Sequence, residues 1–289
     1  MAESAEHREA IVVVGPTAAG KTDYAVALAL SCGGEVVSAD SMQVYVGLDK
    51  GTAKPSAEEM RGVPHHMIDV ADPHEDYSVA QFAAAARRCI DDIFARGKVP
   101  VVCGGSGLYV NALIFDMGLG EDITAQRRMR QHPASTSDEL YAELVRRDPL
   151  AAWGIHPNNV KRIRRALDRL DAAPELRPFS GSFVLTRQFT PRIIRLAPDR
   201  EALYRRIDAR VDAFIANGLV GEVRGLLADG VGRGTTAMQG IGYKEIAAYL
   251  GGECTQGEAV TRIKYATHHL AKRQETWFRR YEGAEIVRI

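Results

Sequence analysis

Eight consecutive residues near the start of the chain have the types and the spacing of a phosphate-binding loop. The stretch 15–22 reads GPTAAGKT, which fits the pattern GxxxxGK(S/T). In such a loop the glycines let backbone N–H groups point at phosphate oxygens, the lysine adds a positive charge, and the last hydroxyl can bind Mg²⁺. We expect a ligand with a diphosphate or triphosphate group; a Gly-rich turn that binds nothing is the alternative. The residues of this loop are Gly15, Pro16, Thr17, Ala18, Ala19, Gly20, Lys21 and Thr22.

Asp40 is a candidate general base. It follows an apolar run, Glu35–Ala39, whose carboxyl end is where open α/β sheets place their ligands. A carboxylate that faces the phosphate loop could accept a proton from a second substrate. It could instead cap its own loop or hold Mg²⁺ through water. The side chains that follow can hydrogen-bond to an organic acceptor or pack around it: Ser41, Met42, Gln43 and Tyr45.

A third polar loop, Gly104-Gly105-Ser106-Gly107, follows the apolar run Val99–Cys103. The Ser106 hydroxyl could hydrogen-bond a phosphate or the edge of a base. It could equally cap the helix that comes next. The residue types leave both readings open.

Strand-like and helix-like segments alternate over the first hundred residues. Ile11–Val14, Glu35–Ala39 and Val99–Cys103 read as buried parallel strands. The segments 23–30 and 77–96 read as helices, the second with Ser78 as its cap. This alternation predicts an α/β fold, with a P-loop NTPase-like parallel sheet flanked by helices.

The pattern changes in the middle of the chain, where Arg-rich helical segments replace strands. Arg192–Leu196 reads as a strand again, and residues 258–280 read as one long helix. We therefore predict a core domain of residues 1–118 and 189–289, and a helical insertion domain of residues 119–188.

Charge is unevenly distributed although the net charge is zero. Residues 1–120 carry a balance of −7 and residues 121–215 one of +5. In the insertion, a helix that begins near Asn159, with Asn158 as its expected cap, presents Arg162 and Arg165 opposite an apolar stripe. Such a face suits the phosphate backbone of a nucleic acid, and a solvated surface is the alternative.

The remaining signals argue against metal clusters, disulfides and membranes. The four cysteines form no CxxC pair, so free thiols in a reducing cytosol are expected. The pairs His65-His66 and His268-His269 are not expected to bind one metal, because neighbours on a helix diverge by about 100°. No signal peptide or membrane-spanning run is apparent, which predicts a cytoplasmic protein.

Nearly the whole chain resembles the bacterial tRNA dimethylallyltransferases, also called tRNA isopentenyltransferases or the IPP transferase family. The order and number of the matching motifs carry the resemblance. They are GPTAAGKT (15–22), SADSMQVYVGLDKGTAKP (38–55), GVPHHMIDV (62–70), GGSGLYVNAL (104–113), HPNNVKRIRRALD (156–168), RIDARVDAFIANGL (206–219) and HLAKRQETWFRR (269–280).

The resemblance implies transfer of a dimethylallyl group from dimethylallyl diphosphate to N6 of the adenosine just 3′ of the tRNA anticodon. It implies that Asp40 is the base, that Lys21 and Arg210 stabilise the departing diphosphate, and that Mg²⁺ is the cofactor at Thr22. Separately, we expect the enzyme to be a monomer. The residues implied in tRNA binding are Asp40, Ser41, Met42, Gln43, Ser106, Arg127, Lys161, Arg162, Ile163, Arg164 and Arg165.

Some positions depart from the family pattern. Ser106 stands where the family usually has Thr, and Lys161 where it usually has Gln. Gln239 replaces a usually basic residue, and the segment 171–187 is shorter than the family's. These departures concern the grip on tRNA and leave the chemistry intact.

Two other functions use the same phosphate loop. One is an adenylate isopentenyltransferase, which prenylates a nucleotide; the segment Gly51–Pro55 and the basic insertion favour tRNA instead. The other is an ATP-dependent small-molecule kinase, for which the sequence shows neither a set of lid arginines nor an adenine pocket.

Overall fold

In the computed structural model, the described residues are 8–117, 136–153, 155–172 and 185–289. The chain divides into two compact units. One consists of residues 1–114 and 185–289, and the other of residues 115–184. The sequence predicts an insertion domain of residues 119–188, so each predicted boundary lies four residues after the boundary in the structure.

A parallel six-stranded sheet forms the centre of the first unit. Its strands are β1 (Glu9–Val14), β2 (Glu35–Ser38), β3 (His65–His66), β4 (Pro100–Gly104), β5 (Thr190–Ala197) and β6 (Glu285–Arg288). They lie in the order β3-β2-β4-β1-β5-β6, and every neighbouring pair is parallel. All residues of β2 and β4 are buried, as strands covered on both faces require. The predicted α/β class is confirmed.

Eight α-helices accompany this sheet in the described part of the first unit, and the first, third and fourth of them make the main contacts with its strands. They are α1 (Lys21–Cys32), α2 (Ala57–Met60), α3 (Val79–Ala95), α4 (Gly107–Ile114), α8 (Arg200–Ala216), α9 (Leu219–Ala228), α10 (Tyr243–Leu250) and α11 (Gln256–Phe278). Ser78 caps α3 through a capping box with Gln81, as its position predicts. None of the described helices combines the length and the apolar character needed to cross a lipid bilayer.

The register of the central strands brings the three predicted loops to one edge of the sheet. Val14 of β1 pairs with Gly104 of β4, and Ser38 of β2 pairs with Cys103. A side chain at Gly104 would collide with the Ala39 carbonyl group. Glycine therefore allows β2 and β4 to deliver their loops side by side.

Three helices form the described part of the second unit: α5 (Ser137–Arg147), α6 (Pro149–Trp153) and α7 (Val160–Ala172). They share a small apolar core that includes Leu144, Ile163 and Leu167. The expected cap of α7 was off by one residue. The Asn159 side chain, and not that of Asn158, accepts the hydrogen bond from the Arg162 N–H.

Candidate active site

The phosphate loop has the backbone shape that its sequence predicts. Gly20 adopts a left-handed conformation with φ of 70° immediately before α1 begins at Lys21, which glycine tolerates without strain. The N-terminus of α1 therefore faces the loop with its positive end. The Lys21 ammonium donates to the Pro16 carbonyl oxygen at 2.7 Å, so it already lies inside the loop.

Burial and nearby charges shift the pKa of Lys21. Burial lowers the pKa of Lys21 to about 8; Cys103 and Asp40 act against this change, and Arg210 adds to it. Lys21 is thus still mostly protonated at pH 7 and loses its proton as the pH rises through about 8. An anion at the loop would restore the full charge, because the attraction favours the protonated form.

The affinity for an alkyl diphosphate is expected to fall as the pH rises through about 8, by up to tenfold per unit. Above that pH Lys21 is neutral and must take up a proton to pair with the ligand. The last ionisation of the ligand has a pKa of about 6 and is therefore nearly complete over the range measured. Calorimetric titration between pH 7 and 9.5 measures this. Lys21→Met should bind weakly with no such pH dependence, and a wild-type affinity that is constant over the range would contradict the assignment.

One oxygen of Asp40 caps its own loop. Oδ1 accepts from the backbone N–H of Met42 at 2.9 Å and of Gln43 at 3.4 Å. Among the residues that the structure describes, no hydrogen bond reaches Oδ2, and Asp40 lines the same cavity as the phosphate loop. The loop-capping role and a role as base are therefore both compatible with this geometry, one for each oxygen.

Ser106 is tied to the Asp40 loop. Its Oγ accepts from the Ser41 N–H at 2.9 Å and lies 3.1 Å from the Ser41 Oγ. To the two readings left open for this hydroxyl, the structure thus adds a third, a contact with the neighbouring loop. Asp40, Ser41 and Ser106 stand together at the edge of the sheet.

The oxygen and the nitrogen of the Gln43 side-chain amide are both hydrogen-bonded within the protein. Its Oε1 accepts from the Ser38 Oγ at 3.0 Å, and its Nε2 donates to the carbonyl oxygens of Thr52 and Ala53 at 3.2 Å each. An amide group has only two N–H donors, so both can be used within the protein. In this arrangement Gln43 braces the Asp40 loop against the segment that contains Ala53.

Arg210 reaches the cavity from α8. Burial lowers the pKa of Arg210, while Asp40 and Glu59 act in the opposite direction. The guanidinium carbon lies 5.5 Å from the centre of the Phe214 ring, an arrangement that holds a cation in place. Arg206, one turn earlier, lines the same cavity; it was not predicted from the sequence, although the four-residue spacing of two arginines was the available signal.

A cavity of about 640 Å³ joins these groups. Its size suits a small organic molecule with a phosphate group. Its walls include Thr17, Lys21, Thr22, Asp40, Gln43, His65, Ile68, Cys103, Gly105, Arg206, Arg210 and Phe214. Burial raises the pKa of the Cys103 thiol to about 11. Cys103 is therefore not a thiolate nucleophile near neutral pH.

The two histidine pairs have different surroundings. His65-His66 forms β3 and not a helix, so the divergence argument used for it was wrong. In the strand, His66 Nε2 lies 2.7 Å from Glu35 Oε2, and His65 Nδ1 lies 2.9 Å from the Val63 carbonyl oxygen. Over the described ranges, no group of three or more His, Cys, Asp or Glu side chains could hold a metal ion.

Lys54 fastens the segment between β2 and β3, and no local sequence pattern indicates this role. Its side chain is 7% exposed. The ammonium donates to the Tyr45 carbonyl oxygen at 2.6 Å, to Asp49 at 2.7 Å and to Asp69. These contacts join residues up to fifteen positions apart. Only the folded chain brings them together.

Two basic side chains of α11 lie against carboxylates of α8. Lys264 pairs with Asp212 at 2.7 Å. His268 lies 2.9 Å from Asp208 and stacks on the Tyr204 ring. These two side chains therefore connect α11 to α8 and do not form a free basic surface.

In the second unit, α7 exposes four basic side chains: Lys161, Arg162, Arg164 and Arg165. No salt bridge within the described residues engages them. Ile163 is different, because it is completely buried in the core of its unit. The implied contact of the Ile163 side chain with tRNA is therefore wrong. Arg127 lies outside the described residues.

A phosphate loop at the carboxyl edge of a parallel sheet, with a carboxylate and an arginine in the same cavity, defines a P-loop protein that acts on a phosphorylated substrate. The family model for IPP transferase matches residues 43–281. The chain belongs to the IPP transferase family.

Two relatives match most of the chain in sequence. The tRNA dimethylallyltransferase of Alkaliphilus oremlandii is 43% identical over 278 residues, which cover 94% of this chain and 89% of the relative. That of Desulforudis audaxviator is 45% identical over 291 residues, with the same shares covered.

Solved structures agree with these relatives. The full-length tRNA isopentenylpyrophosphate transferase of Bacillus halodurans is 41% identical and superimposes with a TM-score of 0.73, covering 97% of this chain and 90% of that one. A eukaryotic dimethylallyltransferase acting on tRNA is 28% identical, with a TM-score of 0.82 over 97% of this chain and 74% of that one.

Proposed function

We propose that this protein transfers a dimethylallyl group from dimethylallyl diphosphate to N6 of the adenosine 3′-adjacent to the anticodon of tRNA, and releases diphosphate. The observation that carries the proposal is the single cavity that contains the phosphate loop, Asp40 and Arg210. The tRNA dimethylallyltransferases named above match 94% of this chain. The working enzyme is proposed to be a monomer that acts in the cytoplasm.

The phosphate loop holds the leaving group. Backbone N–H groups of residues 20–22, at the N-terminus of α1, stabilise the diphosphate, and Lys21 and Arg210 stabilise the charge that develops as the allylic C–O bond breaks. Groups that are already oriented toward this charge stabilise the transition state without reorganisation. No phosphoryl group is transferred, so the loop serves here without consuming ATP.

The residues present fit Mg²⁺. Thr22 is the second residue of α1 and lines the cavity, and Mg²⁺ in proteins often takes one or two protein oxygens together with substrate phosphates. We propose that the Thr22 hydroxyl and the diphosphate hold the ion, which neutralises charge on the leaving group when bound.

Asp40 accepts the proton from N6. The exocyclic amine of adenine is a weak nucleophile, and removing its proton as the new C–N bond forms keeps the product neutral. Oδ1 stays bound to the loop N–H groups of Met42 and Gln43, so Oδ2 is the oxygen that takes the proton. We propose that Ser41 and Ser106, which contact each other on the neighbouring loops, meet the adenine edge.

The tRNA is proposed to contact α7 and the rest of the insertion domain, including Arg127. Lys161, Arg162, Arg164 and Arg165 are exposed cations on this helix. Phosphate contacts of this kind position a nucleic acid without reading its sequence. The target base must leave the anticodon loop to enter the cavity, as bases do in other enzymes that modify them.

Replacing Arg162 and Arg165 by Glu is expected to weaken tRNA binding strongly at low salt and to lower the dependence of log Kd on log salt by about 2. Filter binding over a salt series measures both. Arg146→Glu is a matched control, because Arg146 is an exposed arginine of the same unit that is paired with Glu143. If the control and the double variant had equal effects, the exposed face of α7 would be an ordinary solvated surface that does not bind tRNA.

Incubation with labelled dimethylallyl diphosphate, Mg²⁺ and either unmodified tRNA or AMP tests the function. We expect label in tRNA and none in AMP. Label in AMP alone would identify an adenylate isopentenyltransferase. Hydrolysis or transfer of phosphate from ATP without prenyl transfer would identify a kinase.

A further inference from the structure

The end of the chain contacts two loops of the cavity. Gln274 Oε1 accepts from the Thr17 N–H at 2.8 Å, and Gln274 Nε2 donates to the Gly105 carbonyl oxygen at 2.9 Å. Trp277 covers Gly107 so closely that a Cβ there would collide with its indole ring. One side-chain amide on α11 therefore joins the phosphate loop to the loop that follows β4.

These two loops serve different substrates in the proposed reaction. Thr17 belongs to the loop that holds the diphosphate. Gly105 precedes Ser106, whose Oγ holds the backbone of Ser41 beside Asp40. A flat amide bound at both ends fixes the separation of the two loops, because neither of its hydrogen bonds can stretch without being lost.

We propose that Gln274 is a positioning residue for prenyl transfer: it sets the phosphate loop and the Ser106 loop at the distance that brings the allylic carbon to N6. This inference rests on the function proposed above. Gln274 does not touch the reacting atoms itself. It acts through Thr17 on one side and through Gly105 and Ser106 on the other.

The expected size of the effect follows from the geometry of reaction. Reacting atoms must approach to about 3–3.5 Å in line, and a misplacement of about 1 Å can cost on the order of 10² in rate. Each loop keeps its own internal hydrogen bonds without Gln274, for example Lys21 to the Pro16 carbonyl and Ser41 to Ser106. Binding of each substrate alone should therefore change much less than turnover.

Gln274→Met, which has a similar length and forms neither hydrogen bond, is expected to lower kcat by about 10- to 100-fold. The Kd values for the diphosphate substrate and for tRNA should stay within about threefold of wild type. Thr276→Ala is the matched control. Thr276 is exposed on the same helix, and within the described part of the chain its hydroxyl donates only to the Lys272 carbonyl oxygen.

Gly105→Ala breaks the same bridge while Gln274 remains. The new Cβ would lie 2.5 Å from Gln274 Nε2, but 3.5 Å from Lys21 Nζ, which is an ordinary contact. The substitution should therefore lower kcat by displacing the Gln274 amide. In a Gln274→Ala background it should cost little more, because the group it displaces is gone.

Single-turnover transfer to tRNA tests the proposal in four variants: Gln274→Met, Gly105→Ala, Gln274→Ala and the double variant Gly105→Ala/Gln274→Ala. Lower kcat with near-normal Kd values, together with non-additive costs of Gly105→Ala and Gln274→Ala, supports the proposal. Unchanged kcat in Gln274→Met, weaker binding without a loss of kcat, or additive costs overturns it. Absence of transfer by wild type and Thr276→Ala would overturn the proposed function instead. The melting temperature of Gly105→Ala should equal that of wild type, which would show that its lower kcat comes from mispositioned loops and not from unfolding.

Discussion

Asp40→Asn is expected to lower kcat by a factor of about 10²–10⁴ while tRNA binding persists. Asparagine keeps an oxygen that can accept from the Met42 and Gln43 N–H groups, as Asp40 Oδ1 does. It cannot accept the N6 proton as a carboxylate does. The variant therefore removes the base and leaves the loop cap, which are the two roles that share this side chain.

Asp40→Ala removes both roles and provides the comparison. Its kcat should be as low as that of Asp40→Asn, and its melting temperature should fall further, since a cap of this kind contributes roughly 1 kcal/mol. Single-turnover kinetics with saturating tRNA and thermal unfolding give the two numbers. Near-normal turnover in Asp40→Asn would show that the carboxylate only caps the loop.

Arg210→Gln is expected to lower kcat by about 10²–10³, the usual cost of removing one group that stabilises transition-state charge. Arg210 lines the cavity with its cation against Phe214, and we propose that its charge stabilises the leaving diphosphate. The affinity for dimethylallyl diphosphate should fall less than kcat, because charge on the bridging oxygen increases as the C–O bond breaks.

Arg205→Gln is the matched control for this variant. Arg205 lies on the same helix, is 73% exposed and is within 3.8 Å only of Glu201 among the carboxylates of the described residues. Its replacement should leave kcat unchanged. If Arg210→Gln raised only the KM for the diphosphate substrate, Arg210 would be a binding group without a special role in the transition state.

The core of the site was predictable from local sequence. Three apolar runs each end in a distinctive loop, and parallel strands deliver such loops to the same edge of a sheet. The phosphate loop, Asp40 and Ser106 could therefore be placed together from the order of residues alone. The long helices were predictable for a similar reason, since α3 and α11 begin at capping boxes with Ser78 and Thr255.

Other features depend on contacts between distant parts of the chain. β3 has only two residues, too few to show a periodic pattern, and β6 is an edge strand with little burial. Gln274 meets Thr17 across 257 positions. Polar side chains on a helix normally suggest a surface, so nothing local distinguishes Gln274 from a solvated residue.

The motif that implied tRNA contacts mixed two kinds of residue. Within the stretch 161–165, helical periodicity places Ile163 in the core, while the neighbouring basic residues remain exposed. A contact carried over from a continuous motif therefore has to be checked against the face of the helix. Gln43 lies in a turn and lines the cavity, but its amide is hydrogen-bonded within the protein, and its contact with tRNA stays a prediction.

The central claim is that the phosphate loop holds the diphosphate of a prenyl donor and releases it when tRNA is prenylated. The most direct test measures, in one reaction without ATP, the dimethylallyl groups attached to adenosine N6 in tRNA and the diphosphate released. We predict equal amounts of the two, with the modified adenosine next to the anticodon on its 3′ side. Diphosphate release without modified tRNA, or a requirement for ATP that is consumed with each turnover, would contradict the claim.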